Sequence, residues 1–93
     1  MDNRGKPKIQ FNGDAVRVDL EFVLKRPVSA PKKRTPPAIR RPDLDKLVRA
    51  TLDGLGSANI WTDDSQVVSM NVSKRLAEID EVTGCRIVVE RVE

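Results

Sequence analysis

Asp43 and Asp45 flank Leu44 directly after Pro42, and Asp63 and Asp64 stand side by side further along the chain. Two carboxylates two residues apart can converge at a helix start if the first is a non-helical cap. Oxygen donors of this kind suit Mg²⁺, which polarises a phosphate and activates water in phosphodiester hydrolysis. Each pair also has a plain structural reading. Asp43 can cap the helix while Asp45 favours its positive end, and Asp63-Asp64 can form a turn. The spacing helps to choose between them. A helix start and a strand start, joined by one helix and a tight loop, can lie side by side at one end of a sheet. Four carboxylates crowded there would repel one another, and a divalent cation removes that penalty. The spacing therefore favours a metal site built from Asp43, Asp45, Asp63 and Asp64.

Cations accompany these acids. Arg49 follows Asp45 by four residues and shares its helix face. It can make an exposed ion pair worth about 0.3–0.5 kcal/mol, or hold a phosphate with its guanidinium. Lys46 points about 100° away from Asp45 and can touch a neighbouring phosphate or stay solvated. Residues 25–42 carry Lys25, Arg26, Lys32, Lys33, Arg34, Arg40 and Arg41 and no acid. Phosphate contacts supply most non-specific DNA affinity, so Lys32, Lys33, Arg34, Arg40, Arg41 and Lys46 are candidate DNA contacts. The alternative for the segment is a solubilising, disordered loop. Trp61 can cover the site or stack on an exposed base, or it can fill a core or interface.

The bulk composition narrows the chemistry. The chain has 93 residues, His is absent and Cys85 is the single cysteine. No His-based triad, no structural zinc site and no intrachain disulfide can therefore form. Any metal must be held by oxygen, which favours Mg²⁺ or Mn²⁺. Residues 1–42 hold 11 Lys/Arg against 4 Asp/Glu, whereas residues 43–93 hold 6 against 10. A basic half feeding an acidic half suits a polyanion binder with a separate acidic feature. No apolar run approaches the roughly 20 residues that span a bilayer, and no apolar stretch follows Met1 as in a signal peptide. A cytoplasmic protein is expected.

The elements that must position these groups follow from periodicity. Residues 1–13 read as a loosely ordered lead-in. Over residues 15–24, Val16, Val18, Leu20, Phe22 and Leu24 alternate with Arg17, Asp19 and Glu21, which predicts a half-buried strand. Five prolines break residues 25–42 into an extended loop. Residues 44–55 return to helical spacing, with Leu44, Leu47, Val48, Thr51, Leu52 and Leu55 on one stripe and Gly54 or Gly56 to end it. Strands are expected at 66–75 and 85–92, forming an antiparallel pair around an acidic turn. The expected fold is α/β (α+β): a small mixed sheet packed with one main helix that carries the aspartates.

The runs Arg41-Pro42-Asp43-Leu44-Asp45-Lys46-Leu47-Val48-Arg49 and Trp61-Thr62-Asp63-Asp64-Ser65-Gln66-Val67 resemble the RusA family of Holliday junction resolvases, small enzymes of bacteria, prophages and phages. The resemblance runs from about Val16 to the C-terminus. It implies a dimer that cleaves four-way junctions with Mg²⁺, and it implies that Asp43, Asp45 and Asp64 are the catalytic, metal-binding carboxylates, with Asp63 supporting them. The family's best-known members carry lysine where this chain has Arg49. Arg keeps the charge but not the compact geometry or a tunable proton. Members usually begin with a further strand and helix, so residues 1–93 are expected to form a single RusA-like domain without them.

These features give the expected function. The chain is read as a Mg²⁺-dependent endodeoxyribonuclease (Mn²⁺ being the alternative metal) acting on Holliday junctions and other branched DNA in recombination or repair. It would work as a homodimer in a bacterial or phage-infected cell. Two rivals are a catalytically weak junction-binding module or dimer partner, and a Mg²⁺ enzyme acting on nucleotides.

Overall fold

A computed structural model describes residues 9–93. The lead-in reading of residues 1–8 lies outside the described residues. Alternation of apolar and polar side chains makes β1, Val16–Leu24, a strand with one buried face. Val16, Val18, Leu20 and Phe22 are all at most 5% exposed, and with Trp61 they form the core. Arg17, Asp19, Glu21 and Val23 point to the opposite, more open face.

The chain leaves β1 through the proline-rich segment and enters helix α1, Leu44–Ser57. Leu44, Leu47, Val48, Leu52 and Leu55 pack against the core, although no residue of the helix is fully buried. The helix runs a little past the expected glycines. It closes with Asn59 in a left-handed conformation (φ 59°), whose N–H donates to Gly56 O at 3.1 Å. Asn tolerates that conformation better than most residues, so no glycine is needed there.

After a short turn, β2, Val67–Leu76, lies parallel to β1. The last strand, β3, Gly84–Arg91, pairs with the other edge of β1 in antiparallel fashion. The sheet order is β2-β1-β3. This gives the small mixed sheet and single main helix that the periodicity predicts. It corrects the expected pairing of the last two strands, which have β1 between them. The reason is burial: β1 carries the deepest apolar residues and takes the centre. The chain from β2 crosses its end, where Ala77 N donates to Leu24 O at 2.8 Å. No helix among the described residues is long and apolar enough to cross a membrane.

The acidic turn between β2 and β3 is fastened to the sheet. Arg75 donates to both carboxylate oxygens of Glu81 at 2.7 Å, and Glu78 N donates to the same carboxylate. The Arg75 hydrogen bonds, then that backbone N–H, draw the Glu81 carboxyl down from 4.5 to about 2. A carboxylate with a depressed folded-state pKa stabilises the fold fully above its unfolded value. The contribution fades as the pH falls from about 4.5 towards 2. Urea unfolding across that acid range should show a loss of stability that Arg75→Gln largely removes; the same acid dependence in both proteins would contradict this assignment.

Candidate active site

The first carboxylate pair sits where the proline-rich segment becomes α1. Lys74, on β2, donates to Arg40 O at 2.8 Å and to Pro42 O at 2.9 Å, pinning the chain directly before Asp43. Asp43 has an extended backbone at the N-cap position but makes no side-chain cap hydrogen bond. The capping role that sequence alone offers for its carboxylate is therefore not used. Lys46 lies 4.0 Å away in a largely exposed contact, which contributes little. Asp45 is exposed in the first turn, where the helix dipole favours negative charge.

Asp63 and Asp64 lie at the other end of the helix, in the turn that leads into β2. Asp63 caps this turn: its carboxylate accepts from Ser65 N at 2.8 Å. That bond holds its carboxyl below the usual range. Gln66 completes the reciprocal pair by accepting from Thr62 N and Asp63 N, and its amide donates to Phe11 O and Asp14 O. Sequence reasoning missed Gln66, yet the Asp63-x-x-Gln66 spacing of a capping box was there to be read. Trp61 is 1% exposed and donates its indole N–H to Asp64 Oδ1 at 2.8 Å. Its core reading holds. A buried ring cannot stack on a base, and its polar tip instead fixes Asp64.

The expectation that the four carboxylates crowd together at one end of the sheet fails within the single chain. Asp64 Oδ1 lies 3.6 Å from the place a Cβ would occupy on Gly56, near the end of α1. Asp45 is in its first turn, and eleven residues of helix span about 16 Å. No aspartate side chain crosses that gap. Among the described residues no group of three or more His, Cys, Asp or Glu is placed to hold a metal. The donors suit Mg²⁺ in kind, but one chain does not bring them together.

Their placement around the helix is ordered nonetheless. At about 100° per residue, Asp45, Arg49 and Gly56 project within about 40° of one another. Asp64 sits beside Gly56, so one strip of α1 carries Asp45 at its start, Arg49 near its middle and Asp64 at its end. Arg49 is exposed and has no ion pair among the described residues. Lys32, Lys33, Arg34, Arg40 and Arg41 are likewise exposed, on the segment that leads to Asp43. Arg26 and Lys74 serve differently: both spend their charge on backbone carbonyls of that segment.

The family described as Endodeoxyribonuclease RusA matches residues 1–90. The chain belongs to the RusA family. A relative from Enterobacteria phage 82, named crossover junction endodeoxyribonuclease rusA, is 36% identical over 81 residues, covering 77% of this chain and 68% of the relative. Relatives of the same name from Shigella sonnei strain Ss046 and Escherichia coli strain K12 are 36% and 35% identical over the same coverage. No solved structure matches the chain.

Asp64 lies beside the end of α1, which disfavours a carboxylate, and in the first turn of the short 3-10 helix Asp64–Gln66, which favours one. The two effects oppose each other, so its charge contributes little to stability. Asp64→Asn keeps an oxygen for the indole N–H and should leave stability within about 0.5 kcal/mol of the unaltered protein. Trp61→Phe removes the donor and leaves a gap, and should cost about 1–3 kcal/mol. Urea unfolding of both variants checks this; a destabilised Asp64→Asn would show that its charge is structural.

Proposed function

We propose that this chain is a Mg²⁺-dependent endodeoxyribonuclease that resolves four-way junctions and other branched DNA as a homodimer. The reaction class is supported by RusA membership and by relatives named crossover junction endodeoxyribonucleases. The acidic residues and the exposed cations suit a metal-assisted cut in a polyanion.

One observation carries the dimer: the strip of α1 with Asp45 at one end and Asp64 at the other. A two-fold axis across the middle of that strip lays a partner helix antiparallel against it. The start of each helix then meets the end of the other. Each of two sites would take Asp43 and Asp45 from one protomer and Asp64 from its partner, with Asp63 behind it. Mg²⁺ held there supplies the charge that polarises a phosphate and activates water. Arg49, in the middle of the strip, is placed to hold phosphate near both sites. Lys32, Lys33, Arg34, Arg40, Arg41 and Lys46 contact the backbone of the DNA arms. Two sites related by a dyad suit paired cuts in opposed strands of a symmetric junction.

The separation of the acids within one chain also gives a second reading: a monomeric, junction-binding module without cleavage. A labelled synthetic junction, beside linear duplex of the same sequence, separates the two. The nuclease reading expects Mg²⁺-dependent cutting of the junction, none in EDTA and little on duplex. Asp45→Asn should lower cutting by more than the roughly 10–100-fold that loss of an outer metal partner costs. Junction binding should hold or tighten, because a negative charge is removed. Tight binding without cutting by the unaltered protein would establish the binding module, and normal cutting by Asp45→Asn would sink the assignment of that residue.

A further inference from the structure

The proline-rich segment is not a featureless arm. With the ends of β1 and β2 it encloses an open cavity of about 540 Å³. Leu24, Pro31, Pro36, Pro37, Ile39 and Leu76 form much of its wall. Lys25, Arg40 and Arg41 also contribute to the wall and are themselves exposed. Pro42, the residue before Asp43 in the chain, closes one side.

The cavity is braced rather than left to chance. Arg26 donates to Thr35 Oγ1 at 2.8 Å, to Ala77 O at 3.2 Å, to Arg34 O at 2.7 Å and to Pro31 O. Thr35 Oγ1 in turn donates to Glu78 Oε2 at 2.6 Å, and Lys74 holds the far end at Arg40 and Pro42. These bonds fix the backbone and leave the apolar side chains unpaired. Ile39 is 86% exposed beside the cavity, an apolar surface left uncovered by the described residues.

Volume, lining and charge together select an occupant. An apolar interior of this size with a few polar groups at its margin is ordinary for a ligand site. The cations at its wall, and the absence of any acid in residues 25–42, favour a ligand that is anionic where it leaves the pocket. A nucleotide meets both conditions, with an apolar base face and a charged phosphate. Enzymes that take a base out of the stack hold it between apolar or aromatic side chains, and the cost is least where pairing is already disturbed. We propose that this cavity takes one unpaired nucleobase at the branch point of the DNA substrate, setting the strand against Asp43. The proposal rests on the junction-nuclease reading and adds a base-binding pocket to it.

The test uses the full chain in EDTA with four-way junctions carrying 2-aminopurine, either at the branch or in the middle of an arm. No aromatic residue lines the cavity, so a base drawn into it leaves its stacking neighbours without gaining a quencher. Protein binding should raise fluorescence several-fold at the branch and leave the mid-arm position unchanged. The double variant Ala30→Leu/Ala38→Leu fills the cavity without altering charge. It should lose most of the rise while its junction affinity keeps the same salt dependence. A bound junction with no fluorescence rise, or an equal rise in the filled variant, would overturn the pocket and leave the nuclease reading intact. A filled variant that changed the oligomeric mass instead would assign the cavity to a second copy and overturn the proposal. Failure to prefer junction over duplex would overturn both readings.

Discussion

A single helix that joins two parallel strands has to travel back along the sheet. The second strand must start at the same end of the sheet as the first, and the helix is the return path. In this chain β1 and β2 are those strands and α1 is that helix. The start of α1 therefore lies towards one end of the sheet, and the turn after it towards the other. Asp43 and Asp45 go to the first end, Asp63 and Asp64 to the second. The topology that stabilises so small a domain thus separates the acids whose sequence pattern belongs together. In the proposed dimer a second copy brings these acids together, and the antiparallel helix pair is the simplest closed arrangement that does so.

The parts around this frame divide between holding the fold and serving the site. Gln66, Trp61, Lys74 and Arg26 have their hydrogen-bonding groups directed at the backbone, at the Thr35 hydroxyl or at a single carboxylate. Asp43, Asp45, Arg49 and the five cations of residues 32–41 remain exposed. Asp64 stands between the end of α1 and the start of the next turn and is steered by a buried indole. Charge that a fold does not need, held in place by groups that it does, is what a reactive surface requires.

Much of this was legible in the sequence, for physical reasons. Alternation in residues 15–24 and the 44–55 stripe revealed β1 and α1, because burial of one face imposes a period. The carboxylates and cations were visible because no other residue types here could do such chemistry. Strand order was not legible. A period marks which face is buried but not which edge a strand occupies, so the last two strands were wrongly paired. The convergence of the acids failed for the same reason, since it depends on the direction of β2. The order within residues 25–42 was hidden too: prolines exclude helix and sheet but do not reveal that Arg26 and Lys74 will brace the carbonyls.

The shared site can be tested by mixing protomers. Asp45→Asn and Asp64→Asn proteins, each inactive alone, would be unfolded together, refolded and assayed on a labelled four-way junction with Mg²⁺. If the acids meet between protomers, each mixed dimer has one site carrying both substitutions and one site fully intact. The mixture should then regain metal-dependent nicking of single strands, without paired cuts. If each protomer builds its own site, both sites of a mixed dimer carry one substitution and the mixture stays inactive, which would contradict the account.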